Sequence, residues 1–203
     1  PKGALFAESV AALADAGLDT GDLGDPGRRL VIDTPDARFV IGKPTDIPIY
    51  VAHGAVDCGI AGADVLAESE LDVVEMADLR FGGCRFVVAG LAAGPAQPAA
   101  RTGALRVATK YPRVAEAYFG ARGVQTEIVR LNGNIEIAPL IGLADVIVDI
   151  TATGTTLREN GLVETAEVMA STARFIANPV SLRLRPEVTA LAGSLAAGTS
   201  AHG

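Results

Sequence analysis

The chain has 203 residues, enough for one ordinary domain or two small ones. It is 49% hydrophobic but only 4% aromatic and 20% charged, so its core is built from Ala, Val, Ile and Leu, and disorder is excluded. Acidic residues outnumber basic ones by 24 to 17, and the net charge of −7 opposes nonspecific attraction to nucleic acid or anionic membranes. Trp is absent and only three Tyr and six Phe remain, too few for base-stacking platforms. Cys58 and Cys84 do not make a disulfide framework, and no Cys/His cluster has metal-ligand spacing. No run approaches the roughly 18 apolar residues of a membrane helix. Pro1-Lys2-Gly3 leads into an amphipathic pattern rather than a signal peptide. The expectation is a soluble cytoplasmic protein.

Leu5, Val10, Leu13 and Ala14 recur at helical spacing before Gly17, which predicts a first helix. Short strands are expected at 29–33 and 38–41, on either side of the turn-forming Thr34-Pro35-Asp36. A helix follows over 46–53, then the apolar run 58–60, a helix over 64–68 and strands over 72–75 and 84–89. The Ala-, Gly- and Pro-rich stretch 90–103 reads as a loop at a crossover between domains. Beyond it come a strand at 105–109, a helix at 112–119, a strand at 126–131, a helix at 134–143 and a strand at 145–150 buried on both faces. A last strand at 174–177 and a closing helix at 187–196 complete the pattern. Such alternation predicts an α/β fold with mostly parallel sheets. Gly54-x-x-Asp57 and Gly142-x-x-Asp145 each sit between a helix and an apolar strand, an echo consistent with two similar lobes.

The strongest chemical signal is Asp149-Ile150-Thr151-Ala152-Thr153-Gly154-Thr155-Thr156, followed by Leu157-Arg158-Glu159-Asn160. A strand ends in a carboxylate, passes through a loop with four hydroxyls and one glycine, and enters a helix. Open backbone N–H groups, Thr hydroxyls and a Gly that permits close approach make a phosphate cradle. Asp149 stands where α/β sheets place ligand-binding groups, able to hold ribose hydroxyls or a substrate-borne Mg²⁺. The pattern is neither a Walker loop nor a dinucleotide fingerprint. The plain structural reading is that the threonines cap a helix and Asp149 ends a strand.

The longer run Glu136-x5-Gly142-x-Ala144-x2-Ile147-x-Asp149-Ile150-x2-Thr153-Gly154-x-Thr156-Leu157 closely resembles the signature of the ATP phosphoribosyltransferase family. Asp46-Ile47-Pro48-Ile49-Tyr50-Val51-x2-Gly54-x2-Asp57-x-Gly59-Ile60-x-Gly62-x-Asp64-Val65-Leu66 resembles its first-lobe motif. Cys84 to Ala89, Ala108 to Pro112 and Leu157 to Leu162 resemble its other recurring segments, so the likeness runs from Lys2 to about Pro179. With 24 residues after Pro179, the likeness is to the short catalytic-subunit form.

The resemblance implies two lobes like those of type II periplasmic binding proteins, with the active site in the cleft between them. Lobe I is expected over 1–90 plus 168–203, on the nucleotide side, and lobe II over 91–167, carrying the phosphoribosyl pyrophosphate loop. The implied reaction joins phosphoribosyl pyrophosphate to N1 of ATP with substrate-bound Mg²⁺ and releases pyrophosphate, opening histidine biosynthesis. Asp149, Thr151, Ala152, Thr153, Gly154, Thr155 and Thr156 would bind phosphoribosyl pyrophosphate; Lys2, Gly3, Cys84 and Arg85 would face ATP; Lys43, Glu136 and Asp149 would be the catalytic groups. No residue-held metal site is expected, and neither His53 nor His202 is assigned a role.

The implied partner is a regulatory subunit similar to histidyl-tRNA synthetase, in a hetero-octamer through which histidine inhibits, with the isolated chain a dimer. Three features depart from the family pattern. Ala4 stands where Arg usually follows Lys-Gly, Lys43 replaces a common Arg and loses its fork, and no apolar strand precedes Pro1. On their own the cations read equally as solvated surface charge, and Cys84 and Cys58 as small buried hydrophobes. The competing function is a noncatalytic small-molecule-binding or effector-sensing module of the same fold.

Overall fold

The computed structural model describes residues 1–92 and 103–200. The expected crossover loop at 90–103 therefore lies largely outside the described residues, as does His202. The chain divides into two compact units: Pro1–Gly83 together with the chain from Thr172 onward, and Cys84–Ser171.

In the first unit, α1 (Phe6–Asp15) is followed by the hairpin of β1 (Val31–Asp33) and β2 (Arg38–Val40). The Thr34 N–H and hydroxyl both donate to the Ala37 carbonyl, which closes the turn. Next come α2 (Ile47–Ala52), β3 (Cys58–Gly62), α3 (Ala63–Glu68) and β4 (Val74–Asp78). Pro48 occupies the first turn of α2, where its missing N–H is harmless. The chain returns through β10 (Ala173–Ala177), which pairs antiparallel with both β3 and β4, and ends in α7 (Pro179–Leu184) and α8 (Pro186–Ser200). Ile60 and Phe175 face one buried cluster, Ala61 and Ile176 another, as the period of two requires for strands covered on both faces.

The second unit is one five-stranded sheet ordered β7-β6-β8-β5-β9. Its strands are β5 (Cys84–Leu91), β6 (Leu105–Thr109), β7 (Thr126–Arg130), β8 (Val146–Thr151) and β9 (Leu162–Ser171). Three short helices intervene: α4 (Pro112–Gly120), α5 (Ile137–Leu140) and α6 (Thr155–Glu159). Phe86, Val88, Val107 and Val148 pack on one side, and Val87, Ala89, Ala108 and Ile147 on the other. Successive residues thus alternate between two clusters, which is why these strands read as continuous apolar runs.

The α/β class stands, and the five-stranded sheet is mixed while the three-stranded sheet and the hairpin pair antiparallel. Parallel pairing joins β7, β6 and β8, whereas β5 runs antiparallel to β8 and β9, and β10 antiparallel to β3 and β4. The ten-residue β9 was not anticipated. Glu164 and Glu167 interrupt its apolar alternation, and the register with β5 shifts twice, so no clean period of two survives. The helix expected over 134–143 shrinks to four residues. Asn134 and Gly142 adopt positive φ at 49° and 72°, and Pro139 removes a backbone donor from the middle. The echoed Gly-x-x-Asp junction is reproduced in the backbone, since Gly54 and Gly142 are both left-handed just before β3 and β8.

Candidate functional site

The carboxyl ends of β6 and β8 lie side by side, with Thr109 opposite Val148. The buried Thr109 hydroxyl donates to the Val148 carbonyl at 2.6 Å and accepts the Tyr111 N–H at 2.9 Å, which fixes the path of the chain as it leaves β6. The neighbouring positions Lys110 and Asp149 are close enough to interact electrostatically. Asp149 is half-buried, and its carboxylate's one hydrogen bond among the described residues comes from the Ile150 N–H at 2.8 Å. Burial is the main force raising its carboxyl above the ordinary value; the Ile150 N–H opposes it, the nearby Glu136 adds to it, and Lys110 opposes it. Glu136, Asp149 and Lys110 therefore form one electrostatic group, although Lys110 was not among the expected site residues. Its signal was present in the run Ala108-Thr109-Lys110-Tyr111-Pro112.

The loop after Asp149 turns at Gly154, whose φ of 70° is the left-handed conformation that favours glycine. The Gly154 N–H donates to the Thr151 hydroxyl at 2.7 Å, and the Thr153 and Thr155 hydroxyls lie 3.0 Å apart. The Gly154 amide is thus spent within the loop. The N–H groups of Ala152 and Thr153 are left without an acceptor among the described residues. Open amides beside exposed hydroxyls are the arrangement that receives a phosphate.

Arg85 and Cys84 open β5, where Arg85 is paired in register with Thr151. The Arg85 guanidinium grips Glu164 in a fork, at 2.6 and 3.0 Å. Two of its five donors are thereby occupied by protein. Glu136, Asp149, the loop, Cys84 and Arg85 all belong to the second unit. Lys2, Gly3 and Lys43 gather in the first, because the Lys2 N–H donates to the carbonyl of Gly42, the residue before Lys43, at 2.7 Å. Lys2 and Lys43 are exposed, and Gly3 is left-handed with open space where a Cβ would stand.

A cavity of about 160 Å³ lies elsewhere in the first unit, among Phe6, Leu13, Phe39, Ile60 and Phe175. It is lined mostly by hydrocarbon. Cys58 on its wall is pushed up to about 11 by burial and by Asp57, which makes it an inert thiol. Among the described residues no group of three or more His, Cys, Asp and Glu side chains could hold a metal ion, and no helix is long and apolar enough to cross a membrane.

A two-unit α/β chain whose parallel strands end in a carboxylate and a hydroxyl-lined turn has the layout of the class of folds that place ligand sites at strand ends. The family model described as ATP phosphoribosyltransferase matches residues 43–197. The ATP phosphoribosyltransferase of Anoxybacillus flavithermus is 52% identical over 187 residues, covering 91% of this chain and 86% of that protein. That of Bacillus subtilis is 50% identical over 190 residues, covering 93% and 87%. Among solved structures, the ATP phosphoribosyl transferase (HisG:HisZ) complex from Thermotoga maritima superposes with a TM-score of 0.81 at 32% identity. The match covers 100% of this chain and 97% of that one. Tv2483 bound to L-arginine shares the fold alone, with a TM-score of 0.51 at 17% identity over 78% of this chain and 66% of that one. The chain belongs to the ATP phosphoribosyltransferase family.

Proposed function

We propose that this chain binds phosphoribosyl pyrophosphate at the Asp149–Thr156 loop and uses it to modify ATP. The reaction transfers the phosphoribosyl group to N1 of the adenine, releases pyrophosphate and gives phosphoribosyl-ATP, the first step of histidine biosynthesis. The bond from the anomeric carbon to pyrophosphate oxygen breaks as the bond to N1 forms, and the electron pair leaves with pyrophosphate. Positive character builds on the ribose while negative charge gathers on the leaving group.

The observation that carries this reading is the half-buried Asp149, without an ion-pair partner among the described residues, at the mouth of a loop with open amides. The loop amides and Thr hydroxyls hold the 5′-phosphate, and Asp149 holds ribose hydroxyls. Glu136, close enough to raise Asp149, orients the sugar or the adenine. Lys43 and Lys2 neutralise pyrophosphate or triphosphate, and Gly3, Cys84 and Arg85 take part on the ATP side.

Mg²⁺ fits this donor set as a substrate-borne ion, since it favours one or two carboxylates plus substrate phosphates and keeps several waters. Asp149 is the carboxylate that would meet it, and when bound it supplies charge neutralisation on the departing pyrophosphate. The chain acts in the cytoplasm, as a dimer when alone and in a hetero-octamer with a HisZ-type regulatory subunit similar to histidyl-tRNA synthetase. The test is to incubate the purified chain with ATP, phosphoribosyl pyrophosphate and Mg²⁺, with and without that subunit. Pyrophosphate and phosphoribosyl-ATP should appear together, and no turnover with the subunit present would reject the reading.

A further inference from the structure

Arg158 follows the phosphate loop on α6, and its guanidinium turns back onto it. Nη1 donates to the Thr153 carbonyl at 2.9 Å and Nη2 to the Thr155 hydroxyl at 3.1 Å. These two acceptors flank Gly154, the residue on which the loop reverses. On the other flank stands Glu164 of β9. A Cβ built on Gly154 would lie 2.5 Å from the Glu164 carboxylate and 3.1 Å from Arg158 Nη1, so the turn is wedged between a carboxylate and a guanidinium. Glu164 is itself pinned by the Arg85 fork, with both side chains about two-thirds buried.

The loop's own bonds are only part of this rigidity. The Gly154 N–H holds the Thr151 hydroxyl at 2.7 Å and the Thr153 and Thr155 hydroxyls lie 3.0 Å apart, but the Thr155 N–H reaches the Thr153 hydroxyl only at 3.4 Å, and the helix that follows has five residues. An isolated turn of that length does not hold a shape by itself. We infer that Arg158 is a positioning residue for phosphoribosyl pyrophosphate. Its fork fixes the Thr153 carbonyl and the Thr155 hydroxyl, and thereby aims the loop's open amides, while the Arg85–Glu164 pair is the backstop against which the turn is pressed. This rests on the loop being the phosphoribosyl pyrophosphate site. It assigns Arg85 a structural duty beside the expected ATP contact. Preorganised donors bind a phosphate better than donors that must be ordered at the moment of binding.

The experiment measures steady-state kinetics for both substrates, and direct titration of phosphoribosyl pyrophosphate by calorimetry, on the full chain with its regulatory subunit. The variants are Arg158→Met, which keeps length but removes the fork, and Arg158→Lys, which keeps charge without it. Arg158→Met should raise KM for phosphoribosyl pyrophosphate by about 10-fold or more, from the loss of two charge-assisted bonds, with KM for ATP within about 2-fold and melting temperature little changed. Arg158→Lys should remain nearer to the Met variant than to the parent, because one ammonium cannot keep both acceptors at the fork's spacing.

Equal rises in both KM values together with a lowered melting temperature would overturn the inference in favour of a general fold role. Full recovery by Lys would overturn it in favour of direct charge contact with the phosphate. Unchanged affinity in Arg158→Met, with the parent still binding phosphoribosyl pyrophosphate, would sink the positioning role alone. A parent that fails to bind that substrate, or binds it unaffected by Asp149→Asn, would sink the site assignment beneath it.

Discussion

Asp149 carries an unfavourable charge in the absence of substrate. Burial, with Glu136 adding to it, raises its carboxyl above the ordinary value, and neither the Ile150 N–H nor Lys110 fully compensates. A carboxyl raised in the fold favours the protonated native state. Its contribution to stability is therefore greatest below the ordinary carboxylate value and is lost as pH rises through the raised one. Asp149→Asn keeps the shape without the charge. At neutral pH the unliganded variant should melt higher than the parent, the gain fading in acid, while phosphoribosyl pyrophosphate binding and turnover collapse. Calorimetric melting at pH 4 and pH 7.5 checks the sign, and a variant that loses stability at neutral pH would show Asp149 to be a structural residue. Such opposition between stability and activity is expected where a charge is held ready for a ligand.

At the scale of elements, one side chain in the first unit ties α7 to the end of α2. The buried Asn178 caps α7, its Oδ1 accepting the N–H groups of Val180 and Ser181 at 2.9 and 3.1 Å. Its Nδ2 donates to the carbonyls of Val51 and Ala52 at 2.9 and 3.3 Å, satisfying the exposed end of α2. Asn178→Ala should lower unfolding free energy by about 2 kcal/mol, from the lost cap and the orphaned buried groups, as read by urea titration. In the second unit, Arg106 joins β6 to the turn before β8. Its side chain reaches Asp145 at 2.7 Å and the Gly142 carbonyl at 2.9 Å, which explains why the echoed Gly-x-x-Asp carries an aspartate there. Most elements were legible from local pattern: β6 falls on the expected 105–109, and α2, α3 and α4 lie within a residue or two of theirs. α7 was missed because six residues that begin with a proline leave no periodicity to read, and β9 because Glu164 and Glu167 interrupt its apolar alternation.

The second unit leaves the first at Gly83 and rejoins it at Thr172, so the Asp149–Thr156 loop sits in a body joined to the rest of the sequence only at those two points. Binding to the folded state alone stabilises it by RT ln(1 + [L]/Kd), about 2.7 kcal/mol at a hundredfold excess over Kd. For a chain of this size that should raise the melting temperature by roughly 5 to 10 °C. Phosphoribosyl pyrophosphate should give that shift, and L-arginine none. A response to the amino acid alone would favour the sensing module over the transferase. The Asp149–Thr156 loop was readable from the sequence because hydroxyls, a glycine and a carboxylate stand contiguously between a strand and a helix, a purely local code. Strand order and direction were not readable, because they depend on which distant edges pair. Beside the parallel β7-β6-β8 core, β5 runs antiparallel and β9 antiparallel to β5 in turn, and the local pattern of these residues says nothing of direction. The same holds for Glu164. Nothing in its neighbourhood along the chain marks it, and only the pairing of β9 with β5 brings it to Arg85, 79 residues away, and against the turn at Gly154.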